Sequence, residues 1–213
     1  MKIPKIIHQV WIGPNKSPKY LGSWKEKNPN FDWWLWDIKS VKEFMPLYNQ
    51  HLFNDYAQKA KQNGAYLSGL VDILRYEILY KYGGIYIDAD IDCLRPLEGE
   101  FLESDFFIPY VLEKIENTLS IAVIGTIPEH PIISQMINEL HQHNKIEDTP
   151  NKFTGSSKFT KIVENSEIEI TKLPSYYFNP EHYSGAKYLG DFQPFGYHYW
   201  ITAKKVFNSN GNS

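Results

Sequence analysis

Residues 67–92, LSGLVDILRYEILYKYGGIYIDADID, limit the architecture of this chain more than any other stretch. Leu70, Val71, Ile73, Leu74, Ile78 and Leu79 recur at helical spacing, and Gly83-Gly84 supplies the stop. Residues 85–87 then read as a short buried strand, followed by Asp88, Asp90 and Asp92 at alternate positions. A helix that passes through two glycines straight into a buried strand predicts an α/β fold. In a regular strand all three carboxylates would point to one face. Crowded there, they repel one another unless a cation, a ligand or water lies between them.

Residues 4–12, PKIIHQVWI, predict a buried first strand ending in a turn at Gly13-Pro14. Asp32–Trp36, DWWLW, predicts a second, and the short helical stretch between the two suits a parallel sheet. Residues 41–62 read as helix broken near Pro46. Strands are expected at 106–111 and 119–124, with a late one at 168–173. A helix is expected at 131–143, where Ile132, Ile133, Met136, Ile137 and Leu140 form one stripe. Residues 144–157 read as a polar loop, and the aromatic run YYFNPEHYSG at 176–185 has no regular period. There is no internal repeat and no low-complexity linker. One domain over 1–207 is therefore expected, with a disordered tail at 208–213.

A net charge of -3 and the lack of a long basic run argue against a nucleic-acid partner. The single Cys93 allows no intramolecular disulfide and suits a reducing compartment. MKIPKIIHQVWIG lacks the apolar core and small-residue cleavage site of a signal peptide. No stretch approaches the ~20 apolar residues of a membrane helix. The expectation is a soluble, cytoplasmic protein that touches a membrane peripherally at most. Aromatic residues reach 15%, a share that suits stacking on flat ligands or sugar rings as well as filling a core.

Asp88 and Asp90 stand at the carboxyl end of a strand, where open α/β sheets collect ligands. Their oxygens suit magnesium or manganese, and an ion bridging a diphosphate would neutralise the charge on a departing nucleotide. Asp-x-Asp alone is a weak signal, since any acidic turn produces one. Here the preceding helix adds to it. Asp72 and Arg75 share a helix face inside the largely apolar LVDILRYEIL. An exposed ion pair would contribute little, whereas a pair embedded in apolar surroundings is paired within the fold or functional. An arginine in the cleft would offer a phosphate or sugar a fixed fork of donors.

SGLVDILRYEILYKYGGIYIDADI resembles the core motif of glycosyltransferase family 32, the group with the DXD sugar-binding signature. IPKIIHQVWIG is similar to the same family's first strand, and the glucosyltransferase domains of large clostridial toxins share both elements. The resemblance covers most of residues 3–98, with weaker likeness at PEHP (128–131) and YHYW (197–200). It implies a GT-A-type α/β fold, with a central, mostly parallel sheet flanked by helices. By position, Trp11 would stack on the nucleotide base and Tyr86 would lie beside the ribose. Asp72 and Arg75 would contact the donor sugar and its surroundings. Asp88 would meet ribose or sugar and metal-bound water, and Asp90 would bind the Mn2+ or Mg2+ directly. His198 would be a third metal ligand and Trp200 would cover the diphosphate. Asp92 falls outside the motif, as a solvated turn residue or a partner behind the ligands. His8 reads as a hydrogen-bonded core histidine.

The resemblance further implies retention of anomeric configuration. No acid in the sequence can be assigned to a covalent route of the kind retaining hydrolases use, so same-face substitution is expected. The implied donor is a nucleotide-sugar, a UDP-hexose. The implied acceptor is a glycan, lipid-linked ones included, as in bacterial capsule or lipopolysaccharide synthesis. Three alternatives stay open: an effector that glycosylates a protein, a sugar-nucleotide hydrolase, and a non-catalytic carbohydrate-binding domain.

Overall fold

The computed structural model describes residues 2–12, 17–18, 20–113 and 116–201. The turn expected at Gly13-Pro14 and the tail at 208–213 lie outside the described residues. The chain opens with β1 (Ile6–Val10), α1 (Ser23–Lys27), β2 (Asp32–Trp36), α2 (Ile38–Phe44), α3 (Gln50–Gln62) and α4 (Leu67–Tyr82). There follow β3 (Gly84–Ile87), β4 (Ile91–Cys93), β5 (Phe106–Leu112), β6 (Glu116–Leu119) and β7 (Val123–Thr126). The last elements are α5 (Pro131–His141), α6 (Pro150–Phe153), α7 (Ser156–Glu164), β8 (Thr171–Leu173) and β9 (Gly196–His198).

Seven strands form one mixed sheet in the order β2-β1-β3-β7-β5-β6, with β8 paired to β5. Pairing is parallel across β2, β1 and β3 and between β5 and β8. It is antiparallel where β7 joins β3 to β5 and where β6 joins β5. Alternation along β1 and β3 divides their side chains between two cores. Ile7, Ile85 and Ile87 pack with Trp24 and Phe107 on one face, while Val10 and Tyr86 pack with the apolar side of α4 on the other. That division points Tyr86 at the helix carrying Asp72 and Arg75. β4 and β9 form a separate two-stranded sheet.

Three expectations need correction. The apolar run 119–124 is not one strand, since β6 ends at Leu119 and β7 begins at Val123. The chain must cross from the outer edge of β5 to the slot between β3 and β5. An apolar run reports burial, not an unbroken strand. Residues 144–157 hold α6, which Pro150 opens at its first helical position, and the start of α7. These helices present polar residues to solvent and bury Phe153, Phe159, Ile162 and Val163. Asp92 lies within β4 rather than in a turn.

His8 is wholly buried on the middle strand of the parallel trio. Its Nε2 lies 2.9 Å from the Gly83 carbonyl, and its Nδ1 accepts from Trp36 Nε1 at 3.2 Å. Both contacts suit one neutral tautomer, so the core-histidine reading stands. Burial lowers its pKa from 6.5 to about 4, against the opposing pull of the Gly83 carbonyl. A base depressed in the folded state stabilises fully above pH 6.5 and loses that contribution as pH falls toward 4. The expected loss is about 3 kcal/mol of unfolding free energy. Urea titrations across this range should show the slope, and His8→Gln should remove that part of it.

Candidate active site

The site is assembled where α4 hands over to β3. Gly83 (φ 61) and Gly84 (φ 91) make that turn in a region of backbone space that side chains disfavour. Arg75 is 3% exposed and lies beneath Asp88. One guanidinium nitrogen, Nη2, donates to Asp88 Oδ1 at 2.7 Å, and Nη1 sits 3.3 Å from Asp72 Oδ1. The guanidinium carbon stands 4.3 Å from the centre of the Tyr86 ring, whose hydroxyl donates to Asp88 Oδ1 at 2.9 Å. Arg75 Nε is buried with no hydrogen-bond partner among the described residues. Asp72 is also buried, and its Oδ2 accepts from Thr154 Oγ1 at 2.9 Å. Burial pushes the Asp72 carboxyl up to about 6, against the pull of Arg75 and Thr154.

In this arrangement the arginine fork engages two carboxylates of the protein itself. Tyr86 is wholly buried and its hydroxyl is committed to Asp88. Tyr86 and Arg75 both make contacts that orient Asp88. Thr154 also belongs to this buried network: with its one hydroxyl hydrogen given to Asp72, its Oγ1 accepts from Tyr56 Oη at 3.0 Å. Sequence reading missed it, because a threonine in a polar stretch carries no local signal of what it will meet 82 positions away.

β3 stops at Ile87, and a turn closed by Ile91 N–H to the Asp88 carbonyl at 3.1 Å carries Asp88 and Asp90. The strict alternation expected through Asp92 is thus broken. Asp92 instead sits opposite Tyr197 on β9 and lines a cavity of about 390 Å³ with Tyr20, Ser23, Glu26 and Lys27. The pairing of β4 with β9 sets His198 against Ile91. His198 Nε2 consequently lies 3.2 Å from Asp90 Oδ1, while Asp90 Oδ2 accepts from the Ile201 amide at 3.0 Å.

Potential ligand atoms of Asp88, Asp90 and His198 all fall within 4.8 Å of one another. Burial raises the Asp88 carboxyl above its ordinary value, with Arg75 opposing and Asp90 adding to the rise. Burial acts the same way on Asp90, but His198 and the backbone amides around it, that of Ile201 among them, together hold that carboxyl below its ordinary value. Asp90 therefore stays anionic, as a metal ligand must. Two carboxylates and an imidazole fit a divalent ion such as manganese.

Trp200 packs on the same group. Its ring stacks on His198 with centroids 3.9 Å apart, and its Nε1 donates to the Glu181 carbonyl at 2.8 Å. The indole N–H is therefore committed within the fold. Trp11 follows the carboxyl end of β1, half-buried, with its amide bonded to the Trp36 carbonyl at 2.9 Å. Among the described residues no helix is long and apolar enough to cross a membrane.

A family model described as glycosyltransferase sugar-binding region containing DXD motif matches residues 14–108. The chain is 32% identical to inositol phosphoceramide mannosyltransferase 3 of Schizosaccharomyces pombe over 143 residues, which are 65% of this chain and 37% of that protein. It is 29% identical to uncharacterized glycosyltransferase L373 of Acanthamoeba polyphaga mimivirus over 198 residues, 84% of this chain and 73% of the viral one. The chain thus spans much less than two thirds of the fungal relative's length. Among solved structures, PaToxG glycosyltransferase aligns over 76% of this chain and 68% of its own, with a TM-score of 0.57 at 18% identity. That last likeness is one of fold, the GT-A type.

Proposed function

We propose that this chain is a glycosyltransferase of the group whose sugar-binding region carries the DXD motif, and that it moves a hexose from a UDP-sugar to a glycan acceptor with retention of configuration. The observation that carries the reading is the convergence of Asp88, Asp90 and His198 at the carboxyl end of β3. These three side chains would hold the divalent cation, which when bound would neutralise the diphosphate leaving group.

Around them the protein supplies position. Arg75 and Tyr86 donate to one Asp88 oxygen from below while Asp72 holds Arg75, so the carboxylate needs no reorganisation when a donor arrives. Trp11, just past β1, is the proposed stacking surface for the base. Trp200 stiffens His198 by stacking on it. The buried carboxylates here are already engaged with Arg75, which favours same-face substitution over a covalent sugar adduct on either of them. Mass spectrometry of the protein trapped in turnover should show no glycosyl-enzyme; finding one would overturn that mechanism.

The acceptor is proposed to be a surface glycan carried on a lipid, of the capsule or lipopolysaccharide kind, met at the cytoplasmic face of a membrane. The fungal relative's name, a mannosyltransferase acting on inositol phosphoceramide, supports a lipid-borne acceptor and leaves mannose as an alternative sugar. Calorimetric titration with UDP and with GDP, each with manganese and then with EDTA, tests the donor. UDP binding that requires manganese is expected. Preference for GDP would change the donor assignment, and binding unaffected by EDTA would remove the metal from it.

A further inference from the structure

Asn179 lies outside every motif named above, in the aromatic run without a regular period, yet it is 3% exposed and sits against His198. Its side-chain amide has two neighbours. Nδ2 donates to the Tyr110 carbonyl at 3.3 Å, and Oδ1 lies 3.1 Å from His198 Nδ1. A carbonyl oxygen only accepts, so the first contact determines which end of the amide faces Tyr110 and leaves Oδ1 toward the histidine. An amide oxygen also only accepts, so His198 Nδ1 must carry a hydrogen. The other ring nitrogen, Nε2, then faces Asp90 Oδ1 across 3.2 Å. A carboxylate and an imidazole lone pair repel at that distance, so a hydrogen or a cation has to lie between them.

Asn179 itself is firmly held. Its backbone N–H donates to the Ser175 carbonyl at 2.8 Å, and the preceding Phe178 is wholly buried against Trp24 and Phe195. Rotating the amide to release the ring would set its oxygen against the Tyr110 carbonyl. The ring is clamped from a second side by Trp200.

We propose that Asn179 is a positioning residue that keeps the His198 hydrogen on Nδ1 and reserves Nε2 for a divalent cation shared with Asp90. The proposal rests on the metal reading of Asp88, Asp90 and His198. It adds that the ligand is made competent by a residue in a segment that contributes no ligand of its own. Partners that orient a ligating histidine through its other nitrogen typically alter metal affinity about 10–100-fold when removed.

The test measures Mn2+ affinity by calorimetry on the full chain without nucleotide, for the unaltered protein, Asn179→Ala and the near-isosteric Asn179→Leu. The leucine fills a similar volume but accepts nothing from Nδ1, so both variants should lose about 10–100-fold. A second measurement, the 15N imidazole spectrum of His198 in metal-free unaltered protein, should show a hydrogen on Nδ1. Asn179→Ala binding Mn2+ as tightly as the unaltered protein overturns the proposal. Loss in Asn179→Ala with retained affinity in Asn179→Leu also overturns it, since that pattern marks a packing role. An Nδ1 without hydrogen overturns it even if the alanine variant fails to fold. If the unaltered protein binds no Mn2+ while Nδ1 is protonated, the metal reading falls, and the proposed purpose of the clamp falls with it.

Discussion

Asp90→Asn is expected to cut metal-supported sugar transfer by about 10²–10³-fold, because the several kcal/mol a bound cation supplies in charge stabilisation is lost. The substitution preserves shape and removes one charge. Its effect on the metal-free fold should be the reverse of damaging. The new amide can donate from Nδ2 to His198 Nε2 and accept from the Ile201 amide, so both neighbours of Asp90 in this structure keep a contact. Thermal unfolding of the metal-free variant should therefore match or exceed that of the unaltered protein, while the rise in midpoint on adding Mn2+ disappears. Near-normal turnover would remove Asp90 from the metal assignment. Lost turnover together with a collapsed fold would leave its role structural.

The second large effect is expected at Arg75. It is enclosed between Asp72 and Asp88 and shields two partly or wholly buried carboxylates from each other. Arg75→Met leaves both without their cation, and a broken buried pair typically costs about 3–5 kcal/mol. Urea unfolding at pH 8 measures this directly. The cost should have a particular pH dependence. Without Arg75, burial raises both carboxyls further above the ordinary carboxylate range. A carboxyl raised in the folded state stabilises below its unfolded pKa and loses that contribution as pH rises through the folded one. The deficit of the variant should accordingly shrink between pH 8 and pH 5. A deficit that stays constant over that range would mean the carboxylates are not the groups Arg75 supports. Arg75→Lys should fall between the two, since one ammonium cannot reproduce a fork that spans both acids.

The helix α4, the two glycines and the strand β3 were legible because their signals are local. Helical spacing of apolar residues, a glycine stop and a short buried run each report on neighbours within a few positions. Asp32–Trp36 was legible for the same reason, and so was the break between α2 and α3 at Pro46. The motif residues Asp88 and Asp90 could be named from sequence, and so could Asp72 and Arg75 as a pair that an apolar helix would not carry idly.

Contacts between distant segments followed a different logic. Alternation suggested that Asp92 continues the line of Asp88 and Asp90, but the backbone turns between them and Asp92 pairs with Tyr197 across a second small sheet. Thr154 meets Asp72, and Asn179 meets His198, through packing that no local spacing encodes. β9 was invisible because three residues in an aromatic stretch form a strand only when β4 is there to receive their hydrogen bonds.

By itself, then, the sequence determined where charge enters apolar surroundings, which helix and strand carry it, and that two acids stand at a strand's carboxyl end. The tertiary structure decided which groups those acids face: Arg75 and Tyr86 beneath Asp88, His198 and the Ile201 amide around Asp90. The physical reason is range. Helical and strand periodicity act over a few residues, whereas the pairing that brings His198 to Asp90 spans more than a hundred positions and exists only once the sheet has closed.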